Sequence, residues 1–165
     1  MITTALDDAD LTAGLQRLRV HLTDMTDLMQ DLGELLTDST KSRFGEGTAP
    51  DGTPWAPKSQ ATIDAYQRRE KKARVDFRPL FGPTGRLSSE IFYQATSSSM
   101  EIGSALIQSA VMQFGAEKGA FGTASNGSSI PWGTIPARPF IGLSDQDRAN
   151  VNAEILEYLD RVTDA

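Results

Sequence analysis

The chain has 165 residues, no cysteine and one histidine, which excludes disulfides, thiol nucleophiles, thiolate metal sites and most histidine-based catalytic pairs. Its formal charge of −6 argues against a surface that grips nucleic acid throughout, because that affinity comes from cations neutralising phosphates. No apolar run approaches the roughly 20 residues of a membrane span, and "MITTALDDAD" lacks the basic and apolar regions of a signal peptide, so a cytoplasmic origin is expected.

A chain of this size buries roughly 70% of its unfolded surface, enough for one domain over residues 1–165. Leu11, Leu15, Leu18, Leu22, Met25, Met29, Leu32 and Leu36 alternate in steps of four and three. Leu28 and Leu35 widen that stripe, and the spacing predicts one helix from about Asp10 to Arg43, roughly 50 Å long. Asp7, Asp8 and Asp10 suit its N-terminal dipole, Lys41 and Arg43 its C-terminal one, and Gly45 is a natural stop. The helix reads as a core element or as a seam against another subunit. Gly14 and Gly33 lie inside it at a cost of about 1 kcal/mol each, so packing must hold it together. His21, on the edge of the stripe, reads as a half-buried boundary residue rather than a catalytic one.

"GTAPDGTPWAPKS" follows, with a turn at Asp51-Gly52 and extended flanks set by Pro50, Pro54 and Pro57. Trp55 within it reads as a core plug or a contact residue. A short helix is expected from about Ser59 to Ala73, ending in Arg68, Arg69, Lys71, Lys72 and Arg74. These cations read either as a patch for phosphates or an acidic partner, or as a solvated helix end. Turn signals at Gly82-Pro83 and Gly85 precede a hairpin, with one strand over Ile91 to Ala95 and the return at Met100 to Ile102. "ALIQSAVMQFG" has helical spacing and a C-capping glycine, Gly115.

Residues 116–134 are rich in Gly and Ser, hold no period, and read as a long, exposed, flexible loop carrying two large apolar groups, Phe121 and Trp132. The chain ends in an amphipathic helix capped by Ser144, with Asp145 and Asp147 in its first turn and Val151, Ile155, Leu159 and Val162 as its stripe. The expected fold class is α+β: a long N-terminal helix and a C-terminal helix packed on a small, mostly antiparallel sheet.

No dinucleotide fingerprint, P-loop, zincin or nucleophile-elbow motif occurs, and three acids at a helix N-terminus need no metal to explain them. No enzyme, catalytic residue, metal or cofactor is expected. Three blocks point elsewhere: "RFGEGTAPDGTPWAPKSQAT", "PLFGPTGRLSSEI" followed by "MEIGS", and "QFG" followed by "IPARPFIGLS". In this order they resemble the phage virion morphogenesis family of tail-completion proteins. Asp51, Gly52, Trp55, Gly85, Leu87, Gln113, Phe114, Gly115, Pro136, Pro139 and Phe140 are the motif residues, with structural roles expected.

The resemblance implies a non-enzymatic structural protein of the virion, assembled in the bacterial host cytoplasm and completing the head-proximal tail end or the neck as a head-tail joining component. It also implies a ring of identical subunits, commonly a hexamer, that contacts other neck and tail proteins and lets DNA pass with weak contact; no membrane is involved. The other reading of the residues is a small nucleic-acid-binding protein using the helix that ends in Arg68 to Arg74. Arg68, Arg69, Lys71, Lys72, Arg74, Phe121, Trp132 and Arg138 are the candidate subunit or partner contacts.

In "IPARPFIGLS", Pro136 and Pro139 remove one ladder donor from each edge, which predicts a stiff, extended edge segment. Period-2 geometry pairs Arg138 with Phe140 on one face and Ile135 with Ala137 and Ile141 on the other. Ile135 and Ile141 are expected on the core. Arg138 is expected to face a carboxylate or backbone carbonyls, either across a subunit boundary or within the chain.

Overall fold

Two helices, not one, follow from the first apolar stripe in the computed structural model, which describes residues 9–69, 76–82 and 84–164. Helix α1 spans Ala9–Thr23 and α2 spans Thr26–Glu46. The break is chemical. Asp24 Oδ1 accepts hydrogen bonds from the backbone N–H and the hydroxyl of Thr26, at 3.0 and 2.6 Å, giving the backbone a local alternative to the helical ladder. Met25 N–H leaves the helix as well and donates to Ser97 O at 3.0 Å. The expected 34-residue rod is therefore corrected to two shorter helices. His21 is exposed rather than half-buried.

Helix α2 organises the molecule. Leu28, Leu32, Leu36, Thr40 and Phe44 are buried along one face of it. It runs past Gly45 and stops at Gly47, whose φ of 76° and N–H to Arg43 O make the left-handed cap. Helix α3 (Gln60–Arg69) and the short α4 (Arg86–Ser89) lead to strands β1 (Phe92–Ala95) and β2 (Met100–Gly103). The strands pair antiparallel with Phe92 opposite Gly103 and Ala95 opposite Met100, as the hairpin pattern predicts. Thr96 ties the turn by donating and accepting across to Ser98 and Ser99. The hairpin packs on α2 so closely that the Tyr93 ring occupies the space beside Gly33.

Helix α5 (Ser109–Phe114) and α6 (Asp145–Asp164) complete the α+β fold. Two cores result. One gathers Phe44, Trp55, Leu80, Leu87, Ile91 and Phe140; the other joins Leu28 and Leu32 of α2 to Tyr158 and Val162 of α6. Leu28 and Phe44 are 16 positions apart, so the cores sit about 24 Å apart along α2.

Residues 116–134 are laced by backbone bonds. Ala116 and Ile135 exchange N–H···O bonds of 2.9 and 2.8 Å, Phe121 N–H donates to Ile130 O at 2.7 Å, and Ala124 N–H donates to Ser128 O at 2.8 Å. The segment is thus a narrow arm that leaves and re-enters the domain at one point. The Ile130–Pro131 peptide bond in it is cis.

Candidate assembly surface

The quoted motifs meet around residues 135–144. Beyond the Ala116–Ile135 bridge this segment joins no sheet, as two prolines require, and its carbonyls and amides are taken up by side chains instead. The Gln113 amide brackets it. Its Oε1 accepts from Phe140 N–H (2.9 Å) and Ile141 N–H (3.1 Å), and its Nε2 donates to Ile141 O (2.9 Å). Trp55 Nε1–H donates to Pro139 O at 2.8 Å, so Trp55 is a core plug with one polar anchor. Arg138 N–H donates to Met112 O at 2.7 Å.

Arg138 itself points inward and is 6% exposed. Its Nε donates to Ala56 O at 2.7 Å and its Nη2 to Pro57 O at 2.9 Å, both within the same chain. The inward face is therefore the one carrying Arg138 and the fully buried Phe140, while Ile135 and Ile141 are half-buried and Ala137 is exposed. The expected core contact holds for Ile141, which packs against the Phe44 cluster; the inward turn of Arg138 and Phe140 is the difference. The aromatic ring fills a cage of Phe44 and its neighbours (centroids 5.4 Å apart), and the guanidinium finds carbonyls instead of solvent.

Gly115 closes the junction. Its φ is +75°, and a β-carbon there would lie 2.8 Å from both Ala137 N and Ile135 O. Phe114 beside it does not join the core; it is 79% exposed. Asp51 and Gly52 form the expected turn, with Asp51 Oδ1 accepting from Thr53 N–H at 2.9 Å. Gly85, at φ +64°, starts α4, and Leu87 is buried.

Two charged groups have roles beyond their sequence reading. Arg43 reads in sequence as a dipole complement; in the fold it is buried, donates to Phe140 O (3.1 Å) and Gly142 O (3.0 Å), and pairs with Asp147. Asp147 also accepts from Ser39 Oγ and from Ser144 N–H (2.8 Å), while Ser144 Oγ accepts from Asp147 N–H (3.0 Å). That reciprocal pair is a capping box, and "SDQD" carried its signal. Burial pushes the Asp147 carboxyl up, but the bonds from Ser39 and Ser144 and the Arg43 charge outweigh it and hold the pKa below the ordinary value.

Lys58, unremarked in the sequence, donates Nζ to the carbonyls of Asp76 and Phe81 and stands 5.3 Å over the Tyr66 ring. Burial is the main cause that lowers its pKa. A lysine inside the proline-stiffened "WAPKS" was the available signal. Asp76 is lowered to about 2, chiefly by the hydrogen bonds from Arg78.

Outside this junction lie the candidate contacts. Phe121 and Trp132 are exposed on the arm, and Trp132 borders a largely apolar groove of about 520 Å³ between the arm base and α3, with Tyr66 and Pro131 in its walls. Arg68 is exposed near the end of α3 and donates Nε to Asp64 O at 3.1 Å; Arg69 is the last residue of α3. Lys71, Lys72 and Arg74 lie outside the described residues. Among the described residues no cluster of three His, Cys, Asp or Glu could hold a metal ion, and no helix is long and apolar enough to cross a membrane.

A family model described as "Phage virion morphogenesis family" matches residues 6–160. The chain is similar to the "Tail completion protein S" of Escherichia phage P2, at 31% identity over 140 residues that cover 81% of this chain and 83% of that protein. No solved structure matches.

Proposed function

Because the chain belongs to the phage virion morphogenesis family, whose model spans nearly its whole length, we propose that it is a non-enzymatic structural subunit that completes the head-proximal end of a phage tail. The observation that carries this reading is how the motif side chains are used. Arg43, Trp55, Gln113 and Arg138 each bond to partners within the chain, mostly backbone carbonyls and amides, with Arg43 also paired to Asp147. They build a rigid joint, and none of them is left aimed at a substrate. Large apolar groups remain on the outside, as a subunit that works through contacts requires.

The finer reading is a ring of identical subunits, hexameric, set between neck and tail proteins around the DNA channel. A net charge of −6 suits a lumen through which phosphates slide without binding. The protein would be a virion component, joined to the particle after separate assembly of head and tail. Phage lysates lacking this protein test the reading. Filled heads and free tails should accumulate side by side under the electron microscope, and added protein should join them. Normal infectious particles without the protein would overturn it.

A further inference from the structure

The arm closes at its far end on a turn. Ala124 N–H donates to Ser128 O at 2.8 Å, and Thr123 bridges to Ser129 beside it. Asn126 and Gly127 are exposed inside this turn, and Gly127 has a φ of +80°. Asn126 Oδ1 accepts from Ser128 N–H at 3.0 Å. The ring closed by that bond includes the Gly127 nitrogen, so the side-chain carbonyl is folded back over the Gly127 peptide. Attack of that nitrogen on Asn126 Cγ would close a five-membered imide. Glycine puts no β-carbon beside the approach, and no heavy atom stands within 4 Å of where one would be. Ser128 N–H already lies against Oδ1, where negative charge develops as the nitrogen adds. The bond that opposes attack, Gly127 N–H to Ala124 O at 2.9 Å, lies at an exposed tip where water can replace it.

The rest of the chain supplies its own controls. The two further asparagines, Asn150 and Asn152, lie inside α6, where the amides that follow them belong to a helix. Asp51 and Gly52 repeat the turn, with Asp51 Oδ1 accepting from Thr53 N–H at 2.9 Å and Gly52 at φ +82°. There, however, the bonds from Thr53 hold the carboxyl below its ordinary range, and an ionised carboxylate resists nucleophiles at neutral pH.

We infer that Asn126 is a site of spontaneous modification, deamidated through a succinimide formed with Gly127. The Gly127 amide gives its proton to water, the bond from its nitrogen to Cγ forms, and the Cγ–Nδ2 bond breaks. Ammonia leaves, its added proton returned by water. One water molecule then opens the imide at either carbonyl, giving an isoaspartyl or an aspartyl residue. Residues 119–137 hold no charged side chain, so the new carboxylate is the first charge on the arm beyond its base. The isoaspartyl product also lengthens the main chain by one carbon inside the turn, which the Ala124–Ser128 bond cannot span unchanged.

The test holds purified full-length protein at physiological temperature, in neutral and in mildly alkaline buffer, and follows tryptic peptides by chromatography and mass spectrometry. Cleavage after Lys118 and Arg148, with Pro139 blocking the cut after Arg138, isolates Asn126 in residues 119–148 and leaves Asn150 and Asn152 in the next peptide. The 119–148 peptide should be lost with time into two products, each heavier by the exchange of an amide for a carboxyl. Isoaspartyl should exceed aspartyl, and the loss should be faster at the higher pH. The neighbouring peptide and the one holding Asp51 should stay unchanged. Asn126→Gln, which would need a larger ring, should stop the conversion in the folded protein. An intact 119–148 peptide, over a time in which a synthetic peptide of residues 119–134 converts, would overturn the inference and show that the Gly127–Ala124 bond protects the site. Aspartyl product without isoaspartyl, or equal modification of the Asn126→Gln chain, would overturn it as well.

Discussion

A β-carbon added to Gly33, in the middle of α2, would fall 2.2 Å from Cδ2 of Tyr93, so the ring would have to shift. Gly33→Ala should therefore destabilise the fold by about 1–3 kcal/mol although alanine is the better helix former. Chemical denaturation reads this, and Tyr93→Ala in the same chain should recover most of the loss. Gly14 has no such neighbour, only the tip of Arg17 at 4.0 Å, so Gly14→Ala should be neutral or stabilising. Both glycines look alike in sequence; what separates them is a ring 60 positions away. Arg138→Met makes a second residue-scale test. Losing two bonds from a charged donor to buried carbonyls should cost about 2–4 kcal/mol, and the isolated monomer should show it as a lower Tm. An unchanged Tm with lost assembly would instead assign Arg138 to a subunit boundary.

At the scale of elements, the Arg43–Asp147 pair fastens α6 to α2, and its pH dependence has a definite sign. The Asp147 carboxyl is held below its ordinary value of 3.8, so its stabilisation is complete above that pH and drains away as pH falls through the lowered value. Asp147→Asn should cost about 3–5 kcal/mol at neutral pH, because it leaves a buried guanidinium uncompensated. The gap from wild type should close in acid, when the native carboxyl is protonated too. Unfolding curves between pH 7 and pH 2 check both statements. Elements that rest on local chemistry were legible: the hairpin, the Ser144 cap, the Asp51-Gly52 turn and Gly115. The break at Asp24 was hidden by a leucine rhythm that continues through it, although "TDMT" held the competing signal. Which face of "PARPF" turns inward was not legible, because period-2 geometry pairs residues without ranking the faces. The ranking came from the Phe44 and Trp55 cage, which is assembled from distant chain.

For the whole molecule, the basic run remains the sharpest divide between readings. Replacing Arg68, Arg69, Lys71, Lys72 and Arg74 with glutamine should lower virion yield if the run meets a partner in the particle. Normal yield would assign it to a solvated helix end. Wild-type protein that retained duplex DNA at low salt and lost it steeply with rising salt would favour the nucleic-acid reading instead. Composition excluded more than it assigned, and the function came from the order of three motifs. The structure brings those motifs together: Trp55 binds the backbone of Pro139, Gln113 that of Phe140 and Ile141, and Arg138 that of Ala56 and Pro57.

That arrangement also sets which substitutions the joint can absorb. The clasped partners are main-chain atoms of Ala56, Pro57, Pro139, Phe140, Ile141 and Gly142, which every residue type offers, save the amide that proline lacks. Outward side chains such as Ala137 and Leu143 are free to drift toward whatever a neighbouring protein demands. The four clasping side chains are not. Saturation libraries over residues 135–144 and at Arg43, Trp55 and Gln113, selected for infectivity, should thus return variation at Ala137 and Leu143 and invariance at Arg138, Phe140 and the three distant fasteners. A lineage could retune its partner specificity here without redesigning its frame.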